Sequence, residues 1–213
     1  MSRNFISLIQ PISHGINSAG DNMKKTILIT ILACGLLGIL LIPAGALSSL
    51  ADDFIKACTA LDAPFPPKGW ERADLRDAAL EVLDEIESGN YDKWPLDFCL
   101  KALGYTQYPE DLDRILSYEK KMNDSVLRSL RGFPSPRAVD FLIKYLGNKE
   151  ATKREMAAWS LADIDFKKFD KPEIWRTKVQ TAIKTARRKE KESWLKKDYD
   201  QVLDKIAANA ESK

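Results

Sequence analysis

Histidine is almost missing from this chain: the one copy, His14, precedes a long apolar run, and none follows it. A histidine-based catalytic triad or histidine metal site is therefore excluded from everything after residue 14. Cysteine is nearly as scarce. Of the three copies, Cys34 lies inside the apolar run, and Cys58 and Cys99 stand 41 residues apart. That spacing makes neither a zinc knuckle nor a C-x-x-C redox pair. No glycine-rich phosphate loop occurs. Alternating β-branched runs are absent beyond residue 51, which leaves no basis for a sheet. A dominant charge sign is lacking too. The 33 basic and 31 acidic residues lose three and one with residues 1–51, leaving 30 of each in the remainder. This is not the balance of a general nucleic-acid binder.

What is present begins with an export segment. Lys24 and Lys25 are followed by 26 uncharged residues, Thr26 to Ala51, densest in apolar side chains from Thr26 to Ile42. A positive start, an apolar stretch, the helix-breaking Pro43 and then small residues form the order of a secretory signal. Ala44 and Ala46 match the small −3 and −1 positions that signal peptidase reads in an extended strand, and Ser49-Leu50-Ala51 is a second match. Three readings stay open: a cleaved signal peptide, an uncleaved anchor, and a lipoprotein attached at Cys34 of Ile31-Leu32-Ala33-Cys34. All three place the following domain outside the cytoplasm, because Lys24 and Lys25 stay inside. Met23 is an alternative start, which makes residues 1–22 a leader of doubtful status.

The chain is accordingly divided into residues 1–22, a signal peptide over 23–46 (or an anchor to about 51), a helical domain over 52–165 and a charged helical extension over 166–213. The domain holds 16 bases against 22 acids, and the extension 14 against 8. Such a charge asymmetry steers a partner or folds the tail back on its own body. Cys58 and Cys99 form an even pair for an oxidising compartment. One disulfide is expected, worth ~3–4 kcal/mol in the chain-entropy model; two separate buried thiols are the alternative.

Apolar residues recur at a period of 3.6, which predicts an all-α fold. Helices are expected over about 52–61, 71–87, 96–103, 109–119, 123–131, 136–146 and 150–164, and in a long charged tail from Pro172 to Ala208 bent around Glu190–Ser193. Gly104 is read as the stop of the third. Leu103–Tyr118 aligns with Leu130–Tyr145 at an offset of 27, pairing Pro109 with Pro136, Asp113 with Asp140 and Tyr118 with Tyr145. Two helices per roughly 30 residues cannot close a core alone, whereas stacked pairs can.

The stretch SPRAVDFLIKYLGNKEATKREMAAWSLADID, Ser135 to Asp165, resembles the HEAT-like repeats of short bacterial proteins, of the kind found in phycobilisome lyases. The resemblance spans about Leu96–Asp165. It implies a short α-solenoid of HEAT-like helix pairs behind the signal peptide or signal anchor, with Ala157 and Ala158 allowing close helix approach.

Candidate sites are few. Asp163, Asp165 and Asp170 lack the glycine and distal glutamate of a calcium loop. Asp111, Asp113 and Asp140 read as acids at helix N-termini. Lys184, Arg187, Arg188 and Lys191 share a helical face, open either to an anionic partner or to solvent opposite Val179, Ile183 and Ala186. Five tryptophans, Trp70, Trp94, Trp159, Trp175 and Trp194, are anchors for a partner or caps on the core. The expectation is an exported, extracytoplasmic binding module without catalytic residues, cofactor or metal, whose partner is another protein and not nucleic acid. Membrane contact is expected only through the N-terminal segment. A lyase-like enzyme acting on a bound chromophore or small molecule, and a structural membrane-anchored envelope protein, are the alternatives.

Overall fold

The 3.6-residue period is realised in a computed structural model as nine α-helices and two short 3-10 turns, with no strand among the described residues, 47–59 and 65–211. The leader, the apolar segment with Cys34, Ala44 and Ala46, and Asp62 to Pro64 lie outside them. No helix among the described residues is long and apolar enough to cross a membrane.

Helix α1 (Ser49–Thr59) starts three residues earlier than the charge pattern implied. Ser48 explains this. Its hydroxyl accepts the Ala51 N–H at 3.2 Å, capping the first turn, and donates to Glu81 at 2.6 Å. Ala51 and Phe54 are buried, with Phe54 edge-on to Trp70. Helix α2 (Arg72–Ser88) presents Leu75, Ala79, Val82, Leu83 and Ile86 on one face and ends at Gly89. At φ 82° that glycine directs its N–H back to the last turn.

Helix α3 (Leu96–Thr106) does not stop at Gly104 as expected; Gln107, at φ 57°, ends it instead. Gly104 serves close approach. A Cβ built on it would fall 2.6 Å from the Ser129 carbonyl carbon and nearer still to its oxygen. Gln107 compensates for its left-handed backbone by donating to the Gly132 carbonyl at 2.9 Å and accepting from Lys168.

A 3-10 turn (Pro109–Asp111) leads into α4 (Leu112–Ser117), followed by α5 (Asn123–Ser129), α6 (Pro136–Tyr145) and α7 (Ala151–Ala162). The proline-opened helices begin where expected, since Pro lacks only an N–H that the first turn leaves unpaired anyway. A second 3-10 turn, Phe166–Lys168, precedes α8 (Pro172–Lys189) and α9 (Ser193–Glu211). These two replace the single bent tail, because residues 190–192 break the helix and the pair packs together. Val179, Ile183, Leu195, Tyr199, Val202 and Ile206 are buried in the same core as α2 to α7.

Helices α3, α5, α7 and α9 pack in succession, each on the next. Helix α2 pairs with α3, α4 with α5, α6 with α7 and α8 with α9, and α6 also touches α8. Small residues sit along the succession: Gly104 against Ser129, and Ser160, whose hydroxyl donates to the Leu127 carbonyl at 2.8 Å.

Candidate functional site

The residues aligned by the internal repeat do equivalent work. Tyr118, ending α4, donates its hydroxyl to Glu87 at the end of α2. Tyr145, ending α6, donates to Glu119 at 2.9 Å. Burial first, and then the carboxylate, pushes both phenols up, Tyr145 to about 12. Asp113 takes Arg137 from α6, and Asp140 takes Lys178 from α8 at 2.5 Å. These carboxylates pin one pair to the next and are not free acid/base groups. Asp111 is likewise committed. It is buried and receives both Nε and Nη2 of Arg76, at 2.7 and 2.8 Å.

The α8–α9 turn is held more tightly. Arg154 of α7 donates to both oxygens of buried Glu190 at 2.8 Å, and its Nη1 donates to the carbonyls of Asn148 and Lys149. Glu190 also accepts the N–H groups of Lys191 and Glu192. The bidentate arginine, aided by those N–H groups, holds the carboxyl down at about 2. One arginine thus joins the α6–α7 turn to the α8–α9 turn.

The expected basic face is only partly available. Arg187 gives two hydrogen bonds to Asp200 of α9, at 2.5 and 2.8 Å, and Arg188 donates to Thr185. Lys184 stays exposed on α8, while Lys191 falls beyond the helix end, in the turn. Val179 and Ile183 fill the opposite, buried side. Charge from the basic end does fold back on the body, through Lys178 to Asp140 and Lys205 to Asp163.

The disulfide expected between Cys58 and Cys99 is not formed; both are free thiols. Burial pushes Cys58 up to about 12, and raises Cys99 further with help from the neighbouring Cys58. Apolar packing keeps both protonated. Asp163 accepts from Arg131 and Lys205, and no group of three or more metal-ligating side chains occurs among the described residues. Of the tryptophans, Trp70, Trp94 and Trp175 pack on phenylalanines, and Trp94 and Trp194 are exposed.

Two surface features remain. Between α5 and α7 a hollow of about 310 Å³ is lined by Arg128, Arg131, Glu155, Met156, Trp159 and Ser160. Arg128 is exposed with no ion pair among the described residues, and Trp159 is half-buried with Lys205 over its ring. Between α6 and α8 runs an apolar trough of about 370 Å³. Sequence alone shows neither, since each is made by helices from different pairs.

Comparison with known proteins finds no matching family model, no similar curated protein and no similar solved structure.

Proposed function

We propose that the chain is an exported, non-enzymatic protein-interaction module, built as a short α-solenoid of HEAT-like helix pairs behind a signal peptide or signal anchor. The succession α3, α5, α7, α9 supports the solenoid reading, as do the repeated Tyr–Glu and Asp–cation links between consecutive pairs. Export is supported by Lys24, Lys25, the apolar run and Ala44-Gly45-Ala46.

The observation that carries the binding reading is the α5–α7 hollow. It joins Trp159 and Met156 to Arg128, which has no ion pair among the described residues, with Glu155 on the α7 wall beside them. Tryptophan and arginine dominate the energetics of protein interfaces, and a hollow lets them be desolvated together. The partner it fits presents an acidic side chain beside an apolar one. The test is crosslinked capture from the extracytoplasmic fraction, comparing the wild type with an Arg128→Glu, Trp159→Ala variant. A specific partner lost from the variant is expected. No specific partner, or one held equally by the variant, refutes the reading.

A further inference from the structure

The trough between α6 and α8 differs in chemistry from the α5–α7 hollow. Its floor is apolar, made by Ile143 and Leu146 of the α6 end and by Ala182 and Ala186 of α8. It continues into a second hollow of about 530 Å³ at the turns, with Leu146, Gly147, Ala186 and Lys189 common to both. That second hollow is rimmed by Lys149, Lys189 and Lys191, all exposed and none in an ion pair among the described residues. Arg154 and Glu190 at its base neutralise each other, which leaves exposed Glu192 as the only acid set against three lysines there. Helices α6 and α8 end beside this hollow and α7 and α9 begin there, so their end charges offset. At the opposite end of the trough Lys178 is spent on Asp140 and lies over the Trp175 ring. The groove therefore has an apolar floor flanked by Thr181 and Thr185, with free cationic groups at one end only among the described residues.

We infer that this groove binds a free anionic amphiphile, a single hydrocarbon chain with a carboxylate or phosphate head. The chain lies along Ile143, Ala182 and Ala186, and the head sits among Lys149, Lys189 and Lys191. An extended peptide fits less well, because its backbone polar groups need partners. At the turn end the Asn148 and Lys149 carbonyls hold Arg154, and the Asn148 side chain accepts from the Glu150 N–H, so the trough itself offers chiefly the hydroxyls of Thr181 and Thr185. A hydrocarbon chain makes no such demand. The size also suits: ligand pockets run from roughly 300 to 1,000 Å³.

The inference does not rest on the protein-binding reading, and partner capture through Trp159 succeeds or fails separately. The test is calorimetric titration of the full chain with dodecanoate below its micelle threshold, with dodecyltrimethylammonium, with inorganic phosphate and with phosphatidylglycerol vesicles. Two variants are compared, Lys149→Glu with Lys189→Glu, and Thr181→Trp, which fills the trough from an exposed position. Urea unfolding confirms that both remain folded. Saturable one-to-one binding of dodecanoate is expected, weakened about tenfold or more in each variant, with phosphate and the cationic amphiphile silent. The inference is overturned by any of four results: no dodecanoate binding, binding unchanged in both variants, equal binding of the cationic amphiphile, or binding of vesicles alone.

Discussion

Replacing Gly104 by alanine sets two physical effects against each other with opposite signs. Gly104 lies inside α3, two residues before its end, and its φ is negative, so helix propensity alone favours alanine by about 0.5–1 kcal/mol. Packing says the reverse. The new methyl would sit 2.6 Å from the Ser129 carbonyl carbon and 2.7 Å from its Cα, where backbone and not a flexible side chain must yield. Forcing α3 and α5 apart disturbs Leu100, Leu103, Val126 and Leu130, all buried. Overpacking of this kind costs about 1–3 kcal/mol, and more where backbone is displaced. The expected net loss is roughly 2 kcal/mol, or a melting point lower by about 4–8 °C for a domain of this size. Urea unfolding of wild type, Gly104→Ala and Gly104→Ala with Ser129→Ala measures it. The double variant is expected to recover little, because the clash is with the backbone of residue 129. A Gly104→Ala protein as stable as wild type, or more so, would refute the close packing of α3 on α5.

Glu190→Gln removes the charge from a buried pair while keeping an oxygen for the turn N–H groups. It is expected to cost on the order of 3 kcal/mol by urea unfolding at pH 7. Because the folded carboxyl titrates at about 2, below its unfolded value, the wild type holds this stability above about pH 4.5 and loses it as pH falls toward 2. The variant should lack that slope, and an identical acid profile would count against the Arg154 pair. Cys99 is expected to resist iodoacetamide in the folded protein and to react fully in urea; a peptide map showing Cys58 linked to Cys99 would contradict it. Protein recovered from cells is expected to start at Leu47 if the signal is cleaved, as read by intact mass. A start at Asp52 would contradict that, since it removes Ser48 and buried Ala51.

Much of the helical plan was legible because proline and glycine punctuate it. Pro136 and Pro172 open helices, and Gly89 closes one, through local backbone preferences that need no tertiary information. The repeat alignment paired Tyr118 with Tyr145 and Asp113 with Asp140, and in the fold each pair takes the same role. What that role is depends on the neighbouring pair. Glu87 and Glu119 stand 31 and 26 residues from the tyrosines they meet. Gly104 misled for the same reason. A glycine near a helix end is locally a stop signal, and only the position of Ser129 shows that it is a contact. The basic face is only partly free because Asp200, which claims Arg187, lies on a helix whose reversal depends on Glu190 and Arg154. The grooves were illegible altogether, being gaps between helices of different pairs.

Ser48 fixes where the first helix of the folded domain begins. Its backbone N–H and hydroxyl are both tied to Glu81, and the helix they start has Ala51 fully buried. A peptidase cutting after Ala46 needs the residues around the bond extended, yet the second residue past that bond is already fastened to α2. If the proposed signal is cut there, docking of α1 and cleavage compete in time. On the proposed export reading, a chain cut first is released, whereas one whose α1 docks first holds residue 48 out of the extended form a peptidase needs. The strength of the Ser48–Glu81 link would then set the ratio of free to anchored protein, and weakening it through Glu81 should shift that ratio toward release.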